Sequence, residues 1–259
     1  MEEKLKIAIL GLGEAGSAFA NDLVKMNVVV FGFDPDLKRT IDDRVILCES
    51  NRAAVTNADI ICSVNLSSAS CDVAEEVKSA LHHKQFYCEM NTSGPDKKIR
   101  IGSILKDSGV QYIDLAIMAP VPQKGIMTPM LASGTSVESF FEKIKSLHLN
   151  LTIMPNSMVG DAATDKLLRS IVYKGIAAVV SEAMEAGAAF GKEEYVKKQI
   201  NSLILGGDEM IDRFVEGSKT HAVRRKEEME AVIDMIESKN INPIITRGTK
   251  DYLHKLINP

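Results

Sequence analysis

The chain changes texture once along its length. In its first part, short β-branched and aliphatic runs alternate with amphipathic stretches, and in its second part apolar residues recur at helical spacing nearly throughout. Proline marks the change, since Pro155 is followed by no other proline until Pro243. The runs predict strands over Lys6–Leu10, Val28–Asp34, Asp59–Asn65, Gln85–Asn91, Val110–Met118, Thr128–Ser133 and Leu149–Pro155. Helices are predicted between several of them, over Glu14–Met26, Ser70–His82, Pro95–Asp107 and Val137–Leu147. Near-continuous apolar strands alternating with helices imply an α/β domain with a largely parallel, doubly wound sheet, because the crossover helices must cover both faces. Thr128 follows Met118 without room for a helix, so the final strands are expected to turn antiparallel. The domain boundary is expected near Asn156, giving an α/β domain over residues 1–155 and an all-helical domain over 156–259.

The second part opens on its longest pattern, from Met158 to Phe190, about thirty residues without proline. As one helix it would run roughly 50 Å at about 1.5 Å per residue. Pro155-Asn156-Ser157 reads as the turn before it, and Asp161 is expected to cap its start, because a carboxylate there accepts from open amides at the positive end of the dipole. Leu168, Ile171, Val172, Ile176, Val179, Val180 and Ala183 form a wide apolar face. A helix this long exceeds what a small domain needs for its own core, so it is expected to bridge two domains or cross a dimer interface. Helices around Met210, Met229 and Met235 add more apolar surface, and a homodimer is the expected assembly.

Composition narrows the function. With 25% charged and 45% hydrophobic residues the chain is an ordinary soluble globular protein. A formal net charge of -4 argues against nucleic acid as a partner, since phosphate binding needs a basic face. The basic run Arg224-Arg225-Lys226 is followed at once by Glu227 and Glu228, which suits a helix face better than a polyanion groove. The start carries acidic residues where a secretory leader has positive charge, and no stretch approaches the ~20 apolar residues of a membrane span. Cys48, Cys62, Cys71 and Cys88 show no metal-ligand spacing, so reduced thiols in a cytoplasmic protein, without a bound metal, are expected.

Candidate chemistry begins in the first loop, Gly11-Leu12-Gly13-Glu14-Ala15-Gly16, a GxGxxG leaving a strand and opening a helix. The first glycine permits the tight turn, the second lets backbone approach a pyrophosphate, and the third lets helix and strand pack closely. Asp34 ends the second strand about twenty residues on, where a ribose-binding acid belongs, so the domain is predicted to be a Rossmann fold. Asp34 would repel a 2′-phosphate and favours NAD, while Lys38 and Arg39 keep NADP open. Asn65 and Asn91 close the third and fourth main strands, and ligands of open α/β sheets lie outside such carboxyl ends, so both are cofactor candidates. Helix capping accounts equally well for the polar residues there.

Taken together the motifs resemble the β-hydroxyacid dehydrogenases, the group of 6-phosphogluconate and 3-hydroxyisobutyrate dehydrogenases. GLGEAG at the start carries the resemblance, with Asp114-Leu115-Ala116-Ile117-Met118-Ala119-Pro120-Val121 where that family binds substrate, and Gly160 followed at Lys166 by the position of its catalytic lysine. The likeness is closer still to an uncharacterised subgroup with a phosphogluconate-dehydrogenase-like C-terminal domain, and it spans nearly the whole chain. Two departures stand out. The family's Ser-Gly-Gly is here Ala119-Pro120-Val121-Pro122, whose prolines supply no amide donors, and the asparagine four residues after the lysine is Ser170.

The resemblance implies hydride transfer between nicotinamide and the carbinol carbon of a small 3-hydroxy acid, or its oxo acid or semialdehyde, with Lys166 moving the hydroxyl proton. A lysine of ordinary pKa is a poor base at neutral pH, so burial between domains near Lys174 and the arginines would have to lower it. Lys174, two turns along, is the rival base and otherwise a substrate ligand beside Met118, Ala119, Pro120 and Ser170. His221, Arg224 and Arg225 fall on one side of a helix at i, i+3 and i+4, and the resemblance implies that they grip a small substrate's anionic end, in their own or a partner's site. The alternative is a solvated face paired with Glu227 and Glu228. Two rivals to the whole reading remain, an imine reductase of the pyrroline-5-carboxylate reductase type and a non-catalytic dinucleotide-binding sensor.

Overall fold

The computed structural model describes residues 4–189, 191–203, 207–238 and 242–258. The chain runs β1 (Lys6–Leu10), α1 (Glu14–Leu23), β2 (Val29–Phe33), β3 (Ile46–Leu47), α2 (Asn51–Val55), β4 (Ile60–Ser63), α3 (Ser70–Val77), β5 (Phe86–Glu89), α4 (Pro95–Leu105), β6 (Gln111–Ile117), β7 (Met130–Ser133), α5 (Val137–Ile144) and β8 (Leu151–Ile153). Helices α6 (Asp161–Ala189), α7 (Glu193–Leu203), α8 (Gly207–Thr220), α9 (Ala222–Glu237) and α10 (Ile244–Ile257) complete it. Compact units divide at Thr164 and Asp165, inside α6, and not at the turn near Asn156. No helix among the described residues is long and apolar enough to cross a membrane.

The first unit holds one sheet in the order β3-β2-β1-β4-β5-β6-β7-β8, parallel except where β7 runs against β6. This is the doubly wound Rossmann arrangement with the expected antiparallel turn. Side chains alternate across the pleat, so Ile7 and Ile9 enter one core with Phe19 and Leu23, while Ala8 and Leu10 enter the other with Val55 and Ile101. Two elements were not anticipated. Strand β3 is two exposed residues at the sheet edge, and α2 is a five-residue helix started by the Ser50 hydroxyl accepting from the Ala53 amide at 3.1 Å. Both are too short to leave a periodic signal.

Helix α6 starts from the sheet. Asp114 of β6 is buried, and its Oδ2 accepts from the Gly160 amide at 3.2 Å and the Ala163 amide at 3.0 Å. Ser133, its register partner on β7, accepts from the Ala162 amide at 3.0 Å. The expected cap, Asp161, instead accepts from Met158, outside the helix, at 2.7 Å. Asp161 is already the first helical residue, and side chains there lean back toward the preceding chain. Capping therefore falls to the carboxylate and hydroxyl that face the open amides.

Asp114 is one arm of a buried charge chain. Lys98 of α4, 1% exposed, pairs with Glu89 of β5 and lies 3.2 Å from Asp114 Oδ1, and its ammonium also donates to the Glu89 carbonyl at 2.8 Å. Burial alone would lower the Lys98 pKa, but the two carboxylates carry it above the ordinary lysine value, so the lysine stays charged.

The second unit is helical. One cluster gathers Ala177, Val180, Ile200, Ile211 and Phe214, and another gathers Leu167, Met229, Val232 and Leu253. Met229 is fully buried, and Met210 and Met235 pack against these clusters. What α6 exposes is a stripe of Leu168 (49%), Val172 (61%), Ile176 and Val179 (65%), while Leu167, Ala177 and Val180 turn inward. Phe190 and the Ala183 side chain, both part of the anticipated helix, lie outside the described residues.

Replacing Asp114 by alanine is expected to cost about 3–5 kcal/mol, because it uncaps α6 and strips one of two counter-charges from a buried ammonium. Urea unfolding should show it as a lower midpoint. A midpoint equal to that of the natural chain would mean that the charge chain carries no structure.

Candidate functional site

Strand β1 delivers the glycine loop to the carboxyl edge of the sheet. Gly11 has φ +97°, and a Cβ there would stand 2.7 Å from the Val64 carbonyl and 2.8 Å from Asn65 Cα, so only glycine lets β1 turn against β4. At Gly16 a Cβ would fall 1.9 Å from the Gly11 carbonyl oxygen. A Cβ at exposed Gly13 would meet nothing within 4 Å, and α1 begins there without a side-chain cap. Open space beside uncapped helix amides is what a pyrophosphate fits, so the loop suits the dinucleotide that the motif implies.

Asp34, at the end of β2, accepts from the Leu12 amide at 2.7 Å and the Asp36 amide at 2.8 Å. It therefore braces the glycine loop and keeps lone pairs for a ribose. Glu14 and Ala15 open α1, with Glu14 exposed. Arg39 is exposed, and Lys38 is paired with Asp36 at 2.5 Å. Asn65 and Asn91 meet: Asn91 Nδ2 donates to Asn65 Oδ1 at 3.1 Å, to Ser63 Oγ at 3.3 Å and to Glu89 Oε1 at 2.5 Å. Glycine loop, Asp34, Asn65 and Asn91 thus share one rim.

The segment after β6 is sparing with donors. The Met118 amide is committed to the Pro129 carbonyl at 2.8 Å, half-buried Ala119 keeps its amide, and exposed Pro120 has none. Beyond it the chain folds back onto α1, where Asp22 Oδ2 accepts from the Ile126 amide at 3.1 Å.

In the second unit, α6 and α9 build a charged cluster around a residue that the sequence did not single out, Glu228. Its Oε1 accepts from the Ser170 hydroxyl at 2.5 Å and from the Lys174 ammonium at 2.7 Å, with the carboxylate 8% exposed. Burial would raise the Glu228 pKa, but Lys174, Lys166 and the two hydrogen bonds outweigh it and hold it at about 2. Burial pushes Lys174 below the ordinary lysine value against Glu228, and Arg225 and Arg224 add to the lowering. Lys166 is half-buried one turn before Ser170.

The arginine group is less uniform than its spacing suggests. His221 sits in the turn between α8 and α9, Arg224 is exposed, and Arg225 is buried with Nη1 donating to Ser218 Oγ at 2.8 Å. Arg225 therefore fastens α9 to α8, leaving Arg224 and His221 at the surface side. Lys174, Arg169 and Arg213 ring Tyr173, at 5.6, 5.9 and 5.6 Å from its ring centre. A signal for Glu228 was present: Arg225, Glu228, Met229 and Val232 lie at i, i+3, i+4 and i+7 and are all buried, one inward face.

Residues 6–147 match the family described as the NAD binding domain of 6-phosphogluconate dehydrogenase, and residues 188–256 match a domain of unknown function. The chain belongs to the β-hydroxyacid dehydrogenase family. A 28.5 kDa uncharacterised protein of Methanothermus fervidus is 26% identical over 254 residues, covering 95% of this chain and 97% of that one. The 2-(hydroxymethyl)glutarate dehydrogenase of Eubacterium barkeri is 23% identical over 217 residues, 77% of this chain and 69% of that one. A 3-hydroxyisobutyrate dehydrogenase of Mycobacterium tuberculosis shares the fold at a TM-score of 0.78 and 15% identity, covering 98% of this chain and 94% of that one. Membership makes the protein an oxidoreductase of the hydroxyacid dehydrogenase kind that uses a nicotinamide cofactor.

The Glu228 pKa yields an acid-stability prediction. Its value in the folded chain, about 2, lies below the ordinary 4.5, so its contribution is present above about pH 4.5 and is lost as pH falls toward 2. The difference corresponds to about 3 kcal/mol, partly offset because buried Lys174 is costlier to keep charged when folded. Glu228→Gln should flatten the fall in urea stability between about pH 5 and about pH 3. Parallel pH profiles for the two proteins would contradict the assignment.

Proposed function

We propose that the protein transfers hydride between nicotinamide and the carbinol carbon of a small 3-hydroxy acid or its oxo acid or semialdehyde, with Lys166 as proton carrier. What supports the reading most is one face of α6, where Lys166, Ser170 and Lys174 follow at successive turns and share the charge of Glu228. In reduction the Lys166 ammonium donates its proton to the nascent alkoxide, and in oxidation its amine removes the hydroxyl proton. Ser170 gives its own proton to Glu228, so it meets the substrate hydroxyl as an acceptor. Lys174, with Arg224 and His221, supplies positive charge for the substrate's acid group, and Arg225 acts through Ser218 as a support.

NAD is the preferred cofactor in this reading, because Asp34 sits at the ribose position and Lys38 is occupied by Asp36. Helix α6 forms the heart of a homodimer, its stripe of Leu168, Val172, Ile176 and Val179 lying against the partner copy together with Ile244 and Ile245. Four unpaired cysteines suit a reducing cytoplasm.

NADH or NADPH oxidation should be followed against a panel of oxo acids, semialdehydes and cyclic imines. Turnover of an oxo compound is expected, falling about 10²–10⁴-fold in Lys166→Met, with Lys174→Met raising KM more than it lowers kcat. Turnover of a cyclic imine indifferent to Lys166 would overturn the reading in favour of an imine reductase. Light scattering should give twice the chain mass of 28.3 kDa, and a clean monomer would sink the dimer.

A further inference from the structure

The rim amides at the ends of β4 and β5 have one way to face. Glu89 is wholly buried and salt-bridged to a charged lysine, so its carboxylate accepts hydrogen bonds and has none to donate. Its Oε1 takes the Asn91 amino group at 2.5 Å. The same amino group points at Asn65 Oδ1 and Ser63 Oγ, while Asn65 Nδ2 donates to Ser63 Oγ at 3.1 Å. An amide oxygen of Asn91 in that place would face a carboxylate oxygen at hydrogen-bond distance with no proton between them, so the amide cannot turn over. Its carbonyl, Oδ1, must lie on the other side. There it meets no hydrogen-bond partner among the described residues, and it is not among the buried atoms that lack one, so it opens to solvent although Asn91 as a whole is only 6% exposed.

The position of this carbonyl selects what it can meet. In the strand order β3-β2-β1-β4-β5, Asp34 lies on one side of β1, and Asn65 and Asn91 lie on the other. With Asp34 on the adenosine side, a dinucleotide crossing the glycine loop lays its second half over β4 and β5. That half carries ribose hydroxyls and a carboxamide, both of which donate.

We propose that Glu89 is a positioning residue for the dinucleotide: by locking the orientation of Asn91 it presents a fixed carbonyl acceptor to a hydroxyl or amide donor of the nicotinamide half. The inference rests on the nicotinamide reading above and adds a residue that touches no ligand. Lys98 is part of the device, since its buried ammonium pairs with Glu89 and holds that side chain in place. Glutamine at position 89 would end the lock, because its own amino group could face Asn91 and let the amide turn its nitrogen outward.

A double-mutant cycle read by NADH fluorescence titration tests this without requiring turnover. Glu89→Gln and Asn91→Ala should each weaken NADH binding about tenfold, and the double variant should bind no worse than Asn91→Ala, because Glu89 acts only through Asn91. Losses that multiply in the double variant, or an Asn91→Ala that binds NADH like the natural chain, would overturn the proposal. Asn91→Ala removes no buried charge and keeps the test valid if Glu89→Gln fails to fold. The acetylpyridine analogue of NAD, which lacks the carboxamide amino group, assigns the donor. Equal binding of that analogue by natural and Asn91→Ala protein supports the carboxamide, and a tenfold difference that persists supports the ribose. A natural chain that binds no NADH would instead remove the nicotinamide reading itself, an outcome distinct from multiplied losses.

Discussion

The structure depends on a single carboxylate that serves two masters of opposite character. Asp114 takes the open amides of α6 with one oxygen and faces the Lys98 ammonium with the other, so the sheet's centre and the start of the longest helix are set by one side chain. Neither partner tolerates its loss. The amides would be left uncapped at the positive end of the dipole, and the lysine would keep only Glu89. Buried ion pairs of this kind are weak contributors to net stability, since desolvation consumes most of the attraction. Their value lies in geometry: Glu89, Lys98 and Asp114 have few alternative arrangements, and everything bonded to them inherits that restriction.

The helical unit solves a related problem with the charges reversed. Lys174 faces the arginines of α9, and burial together with their charge pulls its pKa below the ordinary lysine value. One inward carboxylate, Glu228, balances both lysines and claims the Ser170 proton. Chemically this leaves a helix face with positive charge in excess of its single acid and a serine turned into an acceptor. That combination suits an alkoxide-forming reaction on an anionic substrate.

Much of the fold was legible because it is written in periodicity. The seven long apolar runs are strands, the pattern between them is helical, and the crowded step from Met118 to Thr128 does turn antiparallel. The glycine loop was legible for a stronger reason, since Gly11 and Gly16 leave no room for a Cβ. What escaped was either too short to show a period, as with β3 and α2, or depended on partners distant in sequence. Glu89, Lys98, Asp114 and Glu228 are ordinary charged residues until the fold buries them against one another, 9 residues apart for Glu89 and Lys98, and 58 for Ser170 and Glu228. Asp161 was misread for the same reason: local spacing offered a cap, and a residue 49 positions before Ala163 supplied it.

The central claim is hydride transfer, and the most direct measurement follows the hydride itself. Protein incubated with NADH deuterated at the transferring carbon of the nicotinamide and with the oxo-acid panel should yield a hydroxy acid carrying deuterium at its carbinol carbon, seen by mass spectrometry, and Lys166→Met should yield almost none. Deuterium appearing on the carbon of a reduced imine, or remaining wholly in the cofactor while NADH binds tightly, would contradict the account.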